Sequence, residues 1–166
     1  MVMTPPVRRG VLAAHLAVSV GWMGAVLVYL AFGLAAAASR DDQTIRAAWI
    51  AMDLSGWIVI VLLSIASLIT GIAIGAGTRW GVLRYYWVVI SLVMTVGSVV
   101  VLLLHMPSVS PKANLARSAT GSGLDALGTD LLHPSLGLVV LLVVLTLNVV
   151  KPPGMTRYGR RKVPDV

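Results

Sequence analysis

The chain has 166 residues, of which 58% are hydrophobic and only 11% are charged, and its formal net charge is +7. A typical soluble domain is about 45–50% apolar and about 25% charged, so this composition indicates a membrane protein, and the length fits one domain. The absence of cysteine excludes disulfides, thiolate metal sites and cysteine nucleophiles. Surplus lysine and arginine set topology in membrane proteins, and we interpret the positive charge in that way rather than as nucleic acid binding.

Four segments meet the requirement of about 20 mostly apolar residues for a helix that crosses a bilayer. In chain order they are residues 11–37, 48–75, 82–105 and 134–150. No period-two alternation marks these runs, so they indicate lipid-embedded helices rather than strands. Lys151, followed by Pro152 and Pro153, is expected to end the fourth helix. The sequence therefore predicts an all-α fold in which one domain forms a four-helix transmembrane bundle.

The basic residues predict the orientation of this bundle. An even number of spans puts both termini on one side, and most lysines and arginines fall on that side, from Arg8 and Arg9 to the cluster after Lys151. The positive-inside rule then places both termini in the cytoplasm. Residues 151–166 are predicted to form a basic cytoplasmic tail at the membrane surface. Residues 106–130 are predicted to form an outer loop, with a short surface helix near Leu124 and Leu127.

Polar side chains are costly in lipid, so each helix is expected to turn its polar stripe toward the bundle interior. The outer end then collects residues of metal-ligand type, which are Asp53, His105 and His133, flanked by Met52 and Met106, with Asp130 as an additional candidate. At the inner end, His15 is expected about 6 Å inside the surface, with Asn148 as its first neighbour.

The outer cluster has the donor types of a metal site. Two histidines with one or two aspartates suit zinc or copper, and the thioether of Met106 adds a preference for copper(I). Haem b is the alternative, held either by His105 and His133 as an axial pair or by His15 alone. In the plainest interpretation, His105 and His133 are interfacial residues that bond to water or loop backbone.

A short pattern in the first helix adds a resemblance. His15, Trp22 and Gly24 form H-x6-W-x-G behind a basic N-terminus. This pattern resembles the first helix of small bacterial four-span integral membrane proteins of unknown function related to the copper-resistance D (CopD) superfamily. It is also similar, more weakly, to the first helix of membrane-bound protoporphyrinogen oxidases, where the histidine is associated with haem. The resemblance covers residues 15–24 and the four-span layout, and it implies a bacterial inner-membrane protein that handles metal or haem.

Three hypotheses follow for the function. The first is a non-enzymatic protein that binds a metal ion, with copper favoured, or takes part in its transport. The second is a haem b redox protein or haem-pathway oxidoreductase, and the third is a ligand-free structural or assembly subunit of a membrane complex. No nucleophile–base–acid set, phosphate-binding glycine loop or HExxH motif is present, so no enzyme class is favoured. The expected partners are the lipid bilayer and a homo-oligomer or larger complex, without nucleic acid.

Overall fold

The computed structural model describes residues 3–78, 80–120 and 122–161, so residues 162–166 of the predicted tail lie outside the described part. Its elements are α1 (Pro5–Ala38), α2 (Asp42–Ser55), a π-helical segment (Gly56–Val61), α3 (Leu62–Gly77), α4 (Tyr86–Ser118), α5 (Ser122–Asp125), α6 (Leu132–Val150) and α7 (Arg157–Arg161). Within the described ranges, four continuous stretches are long and apolar enough to cross a membrane, namely α1, α2 through α3, α4 and α6. The predicted all-α fold with four helices suited to span a membrane is confirmed.

Both ends of the described chain meet at the turn between α3 and α4. The backbone N–H of Met3 donates to the carbonyl of Gly77 over 2.9 Å, and that of Thr156 donates to Arg84 over 3.0 Å. Helix α6 ends at Val150, as predicted, because Lys151 takes a left-handed conformation with φ of 50°. We call this end of the bundle the N-terminal end and the opposite end the loop end.

Helix α2 begins at Asp42, before the predicted start of the second span at residue 48. Asp41 caps it, since its carboxylate accepts hydrogen bonds from Thr44 Oγ1 over 2.7 Å and from the Thr44 N–H over 2.9 Å. These two bonds hold the pKa of Asp41 below its ordinary value. The capped extension brings an amphipathic face into the core, with Ile45, Ala48, Trp49 and Met52 buried.

The prediction that residues 106–130 form a loop is wrong for residues 106–118, which belong to helix α4. The helix continues to Ser118 and contains Pro107 and Pro111, two residues that remove helical hydrogen bonds. Both prolines are exposed. The opposite face buries residues at spacings of three and four against α2, and this packing outweighs the propensity cost; the buried residues are Met106, Val109, Ala113 and Ala116. The predicted short helix beyond it is present as α5, and Leu124 and Leu127 are buried.

The apolar core lies mainly in the half of the bundle near the loop end. The π-helical segment begins at Gly56, which packs against Met106 of α4 and Tyr29 of α1. In the N-terminal half, residues of α1, α3, α4 and α6 line a cavity between the helices that is partly open to the surface, which we call the interior cavity. Polar side chains therefore lie both at the loop end and in this cavity.

Candidate metal site

Three elements bring His105, Asp130 and His133 together at the loop end. His105 lies on α4 where its apolar run ends, Asp130 lies in the loop before α6, and His133 lies in the first turn of α6. One ligand atom from each of the three residues lies within 4.8 Å of the other two. Two imidazoles and one carboxylate therefore converge on a small volume.

Asp130 is the centre of this group. Its Oδ2 lies 2.8 Å from His105 Nε2, and its Oδ1 lies 3.6 Å from His133 Nδ1. The two imidazole rings stack with their centroids 3.8 Å apart and their planes at 21°. The carboxylate thus engages one histidine through each of its oxygens.

Helix α1 holds Asp130 in place through two residues one turn apart. The hydroxyl of Tyr29 donates to Asp130 Oδ2 over 2.8 Å. Four residues later, Gly33 lets the loop backbone approach, because a Cβ at this position would lie 3.0 Å from the carbonyl oxygen of Asp130. A buried phenol and a bare helix surface therefore fix the carboxylate before any ligand binds.

Asp130 is only 7% exposed, yet it is held as a carboxylate. Burial alone raises the pKa of this group, but hydrogen bonds from His105 and Tyr29 and the charges of the two imidazoles lower it more. The net effect is a pKa below the ordinary value of 3.8. At neutral pH the group therefore presents a negatively charged oxygen ligand beside the two imidazoles.

A small divalent ion fits among these ligand atoms once the two imidazole rings turn out of their stacked arrangement, because a bound metal lies in the plane of each imidazole that holds it. Zinc has bond lengths of about 2.0–2.2 Å, so neighbouring ligands in a tetrahedral site lie about 3.4 Å apart. The pair of Asp130 and His133, at 3.6 Å, is close to that value. The pair of Asp130 and His105, at 2.8 Å, is a hydrogen bond, so metal binding must move these two atoms apart and displace the proton between them. The side chain of His133 is 47% exposed, which leaves a path for the ion and a free coordination position.

Two of the residues predicted for this site do not join the group. Asp53 Oδ1 accepts a hydrogen bond from Ser110 Oγ over 2.7 Å, and Ser110 in turn accepts from the indole of Trp57 over 3.1 Å. Met106 is fully buried, and its thioether lies against Gly56 in the core. The structure adds Tyr29 and Gly33, which the sequence shows merely as a polar and a small residue of the first helix.

His15 lies apart from this group, on α1 in the wall of the interior cavity. Its Nδ1 lies 3.0 Å from Thr70 Oγ1, and the hydroxyl proton of Thr70 goes to the carbonyl of Ala66 over 2.7 Å. Thr70 must therefore accept from His15, so Nδ1 carries the proton and Nε2 is the acceptor of the neutral ring. The predicted neighbour Asn148 lines the same cavity, but its amide donates to Ser91 over 3.1 Å.

The arrangement of His105 and His133 does not favour them as an axial haem pair. Axial ligands point end-on at the iron from opposite faces of a haem. These two rings instead lie face to face. A haem held by histidine would thus depend on His15.

Comparison with known proteins finds no relative. No protein-family model matches the chain, and neither a curated protein nor a solved structure matches it. Within the H-x6-W-x-G pattern, Trp22 is buried, whereas Gly24 is exposed with nothing within 4 Å of an added Cβ. The resemblance to the CopD-related proteins and the oxidases stays a prediction.

Changing Tyr29 to phenylalanine tests how Asp130 is held. A carboxylate with a lowered folded pKa stabilises the fold above its unfolded pKa of about 4, and that contribution is lost as pH falls through the folded value. Without the phenol the pKa of Asp130 moves back up, so less stability depends on pH. The drop in melting temperature between about pH 6 and about pH 2.5 should therefore be smaller in Tyr29→Phe than in the wild type. A drop of equal size would contradict the role assigned to Tyr29.

Proposed function

We propose that this chain is a membrane protein that binds a divalent transition-metal ion through His105, Asp130 and His133. The observation that carries the proposal is the convergence of three ligand atoms within 4.8 Å, contributed by two spanning helices and the loop between them. A hydrogen bond from Tyr29 supports the carboxylate, as outer partners commonly support metal ligands. Three protein ligands with a fourth position open are typical of sites that exchange water or substrate.

The donor set favours zinc(II) or copper(II). Two imidazole nitrogens and a carboxylate oxygen suit both ions, and copper(II) is bound more tightly by a given site of this type. The argument for copper(I) rested on a thioether, and the thioether of Met106 packs on Gly56 instead. The metal preference is thus for a divalent ion rather than for copper(I).

The orientation of the bundle in the membrane determines which side the metal site faces. By the positive-inside rule, the basic residues at the N-terminal end favour a cytoplasmic position for that end. Those that the structure describes are Arg8, Arg9, Lys151, Arg157, Arg160 and Arg161. His133 is then accessible from the opposite face of the membrane. The chain would collect a divalent ion there, and passage across the bilayer would require a second copy or a partner protein.

Metal analysis of the purified protein tests this proposal. The wild type, loaded with zinc(II) or copper(II) and then desalted, should retain one ion per chain, and His105→Ala and His133→Ala should each lose it. His15→Ala is the matched control, since it removes a histidine of the interior cavity and should leave the bound ion in place. Met106→Leu should also retain it, because the thioether is a packing group.

Two outcomes would overturn the proposal. Retention of metal in the double variant His105→Ala/His133→Ala would place the site elsewhere. If the wild type retains neither ion, the three residues do not bind metal, and their role is to connect α4, the loop and α6 through polar contacts.

A further inference from the structure

The interior cavity in the N-terminal half of the bundle is a site of a different kind. Its volume is about 760 Å³, within the range of about 300–1,000 Å³ that is typical of small-molecule sites. Along α1 it extends from Arg8 to Met23, which corresponds to about 22 Å at the helical rise. The cavity is therefore long and narrow, and it runs parallel to the helices.

The deep part of the cavity is apolar, with a few polar groups that have unused bonding capacity. Trp22, Leu68 and Leu141 line the inner part. Toward the middle, His15 presents Nε2 as an acceptor, because its Nδ1 donates to Thr70. Ser91 accepts from Asn148 through its hydroxyl oxygen and so keeps its own proton to donate.

The mouth of the cavity is cationic. Arg8 and Lys151 both line it, and no acidic residue does so among the described residues. The ammonium group of Lys151 lies 5.8 Å above the ring of Trp80, another lining residue. The hydroxyl of Thr78, also in the lining, is buried and has no hydrogen-bond partner in the described part of the chain. An anionic group at the mouth would meet two cations and one unsatisfied donor.

We propose that this cavity binds a single-chain amphiphile whose head group is a carboxylate or phosphate. The apolar chain occupies the deep part between α1, α3 and α6, and the head group lies at the mouth, between Arg8, Lys151 and Thr78. This placement buries apolar surface and pairs the head group with cations at the level of the membrane surface. It also satisfies the buried hydroxyl, which otherwise costs free energy. The site is separate from the metal ligands and does not depend on them.

Tryptophan quenching gives a direct measurement, because Trp22, Trp80 and Trp87 line the cavity. The full chain in nanodiscs of zwitterionic lipid is titrated with a brominated fatty acid and with the brominated alcohol of the same chain length. Quenching by the acid should saturate, and it should occur at concentrations at least about fivefold lower than for the alcohol, the factor expected for one cation near the surface.

Two pairs of variants make the test specific. Arg8→Gln should weaken the binding of the brominated acid about fivefold without changing the binding of the alcohol. Arg9 is the next residue of α1 and lies outside the lining, so Arg9→Gln should change the binding of neither probe. Val144→Phe fills the cavity and should reduce saturable quenching by both probes. Val143→Phe adds the same bulk on the exposed face of α6 and should not.

Several results would overturn the proposal. Equal affinity for acid and alcohol would remove the role of the charged mouth, and equal effects of Arg8→Gln and Arg9→Gln would indicate a general surface potential. Equal effects of the two phenylalanine variants would place the probe outside the cavity. A Soret band in the purified protein, lost in His15→Ala, would make haem the occupant instead.

Discussion

Replacing Asp130 by asparagine is expected to weaken the binding of zinc(II) or copper(II) by more than about 100-fold. Loss of an outer partner of a metal ligand already costs about 10–100-fold, and Asp130 is the central ligand, with one oxygen toward each histidine. Asparagine keeps the shape of the side chain but removes the negative charge. Isothermal titration of the detergent-purified protein with each metal measures the change.

Asp53→Asn is the matched control for this change. The sequence assigns Asp53 to the metal site, whereas in the structure its carboxylate accepts from Ser110. Metal affinity in Asp53→Asn should therefore stay within about threefold of the wild type, less than the smallest effect of an outer partner. If Asp53→Asn lost the metal while Asp130→Asn kept it, the assignment of the carboxylate ligand would be wrong.

The spans were predictable because they depend on hydrophobicity summed over many residues, whereas their ends depend on tertiary contacts. Residues 106–118 contain two prolines and many small residues, which locally favour a loop. They form a helix because one face of it packs against the buried face of α2; the residues of that face are Met106, Val109, Ala113 and Ala116. Packing against α2 outweighs the local preference for a loop, and the local sequence does not reveal that packing.

The sequence could predict which helix ends meet at the candidate site, but it could not predict where the side chains at those ends point. His105 and His133 lie at neighbouring ends of two spans, so their proximity follows from the topology. Met106 follows His105 directly, and successive helical residues point about 100° apart, so both side chains cannot turn toward one ion. The support of Asp130 by Tyr29 and Gly33 depends on where the loop crosses α1, which no local pattern specifies.

Gly56→Ala is expected to destabilise the protein by about 1–3 kcal/mol, the usual cost of overpacking a filled core. A Cβ at this position would lie 2.6 Å from Met106 Sδ and 3.6 Å from Tyr29 Cε2, inside the junction of α1, α4 and the π-helical segment. Thermal unfolding in detergent, followed by tryptophan fluorescence, measures the loss. Gly97→Ala is the matched control, because nothing lies within 4 Å of an added Cβ there. That change should be neutral or stabilising, since alanine is the better helix former.

The double variant Gly56→Ala/Met106→Ala separates steric overlap from a general intolerance of substitution. Met106→Ala alone should cost about 2–5 kcal/mol, because it empties a fully buried position. In the double variant the new methyl group occupies part of that space, so the combined loss should be smaller than the sum of the single losses. Strict additivity would contradict the contact between Gly56 and Met106. Because Tyr29 adjoins Gly56 and donates to Asp130, the single variant Gly56→Ala should also weaken metal binding, and Gly97→Ala should not.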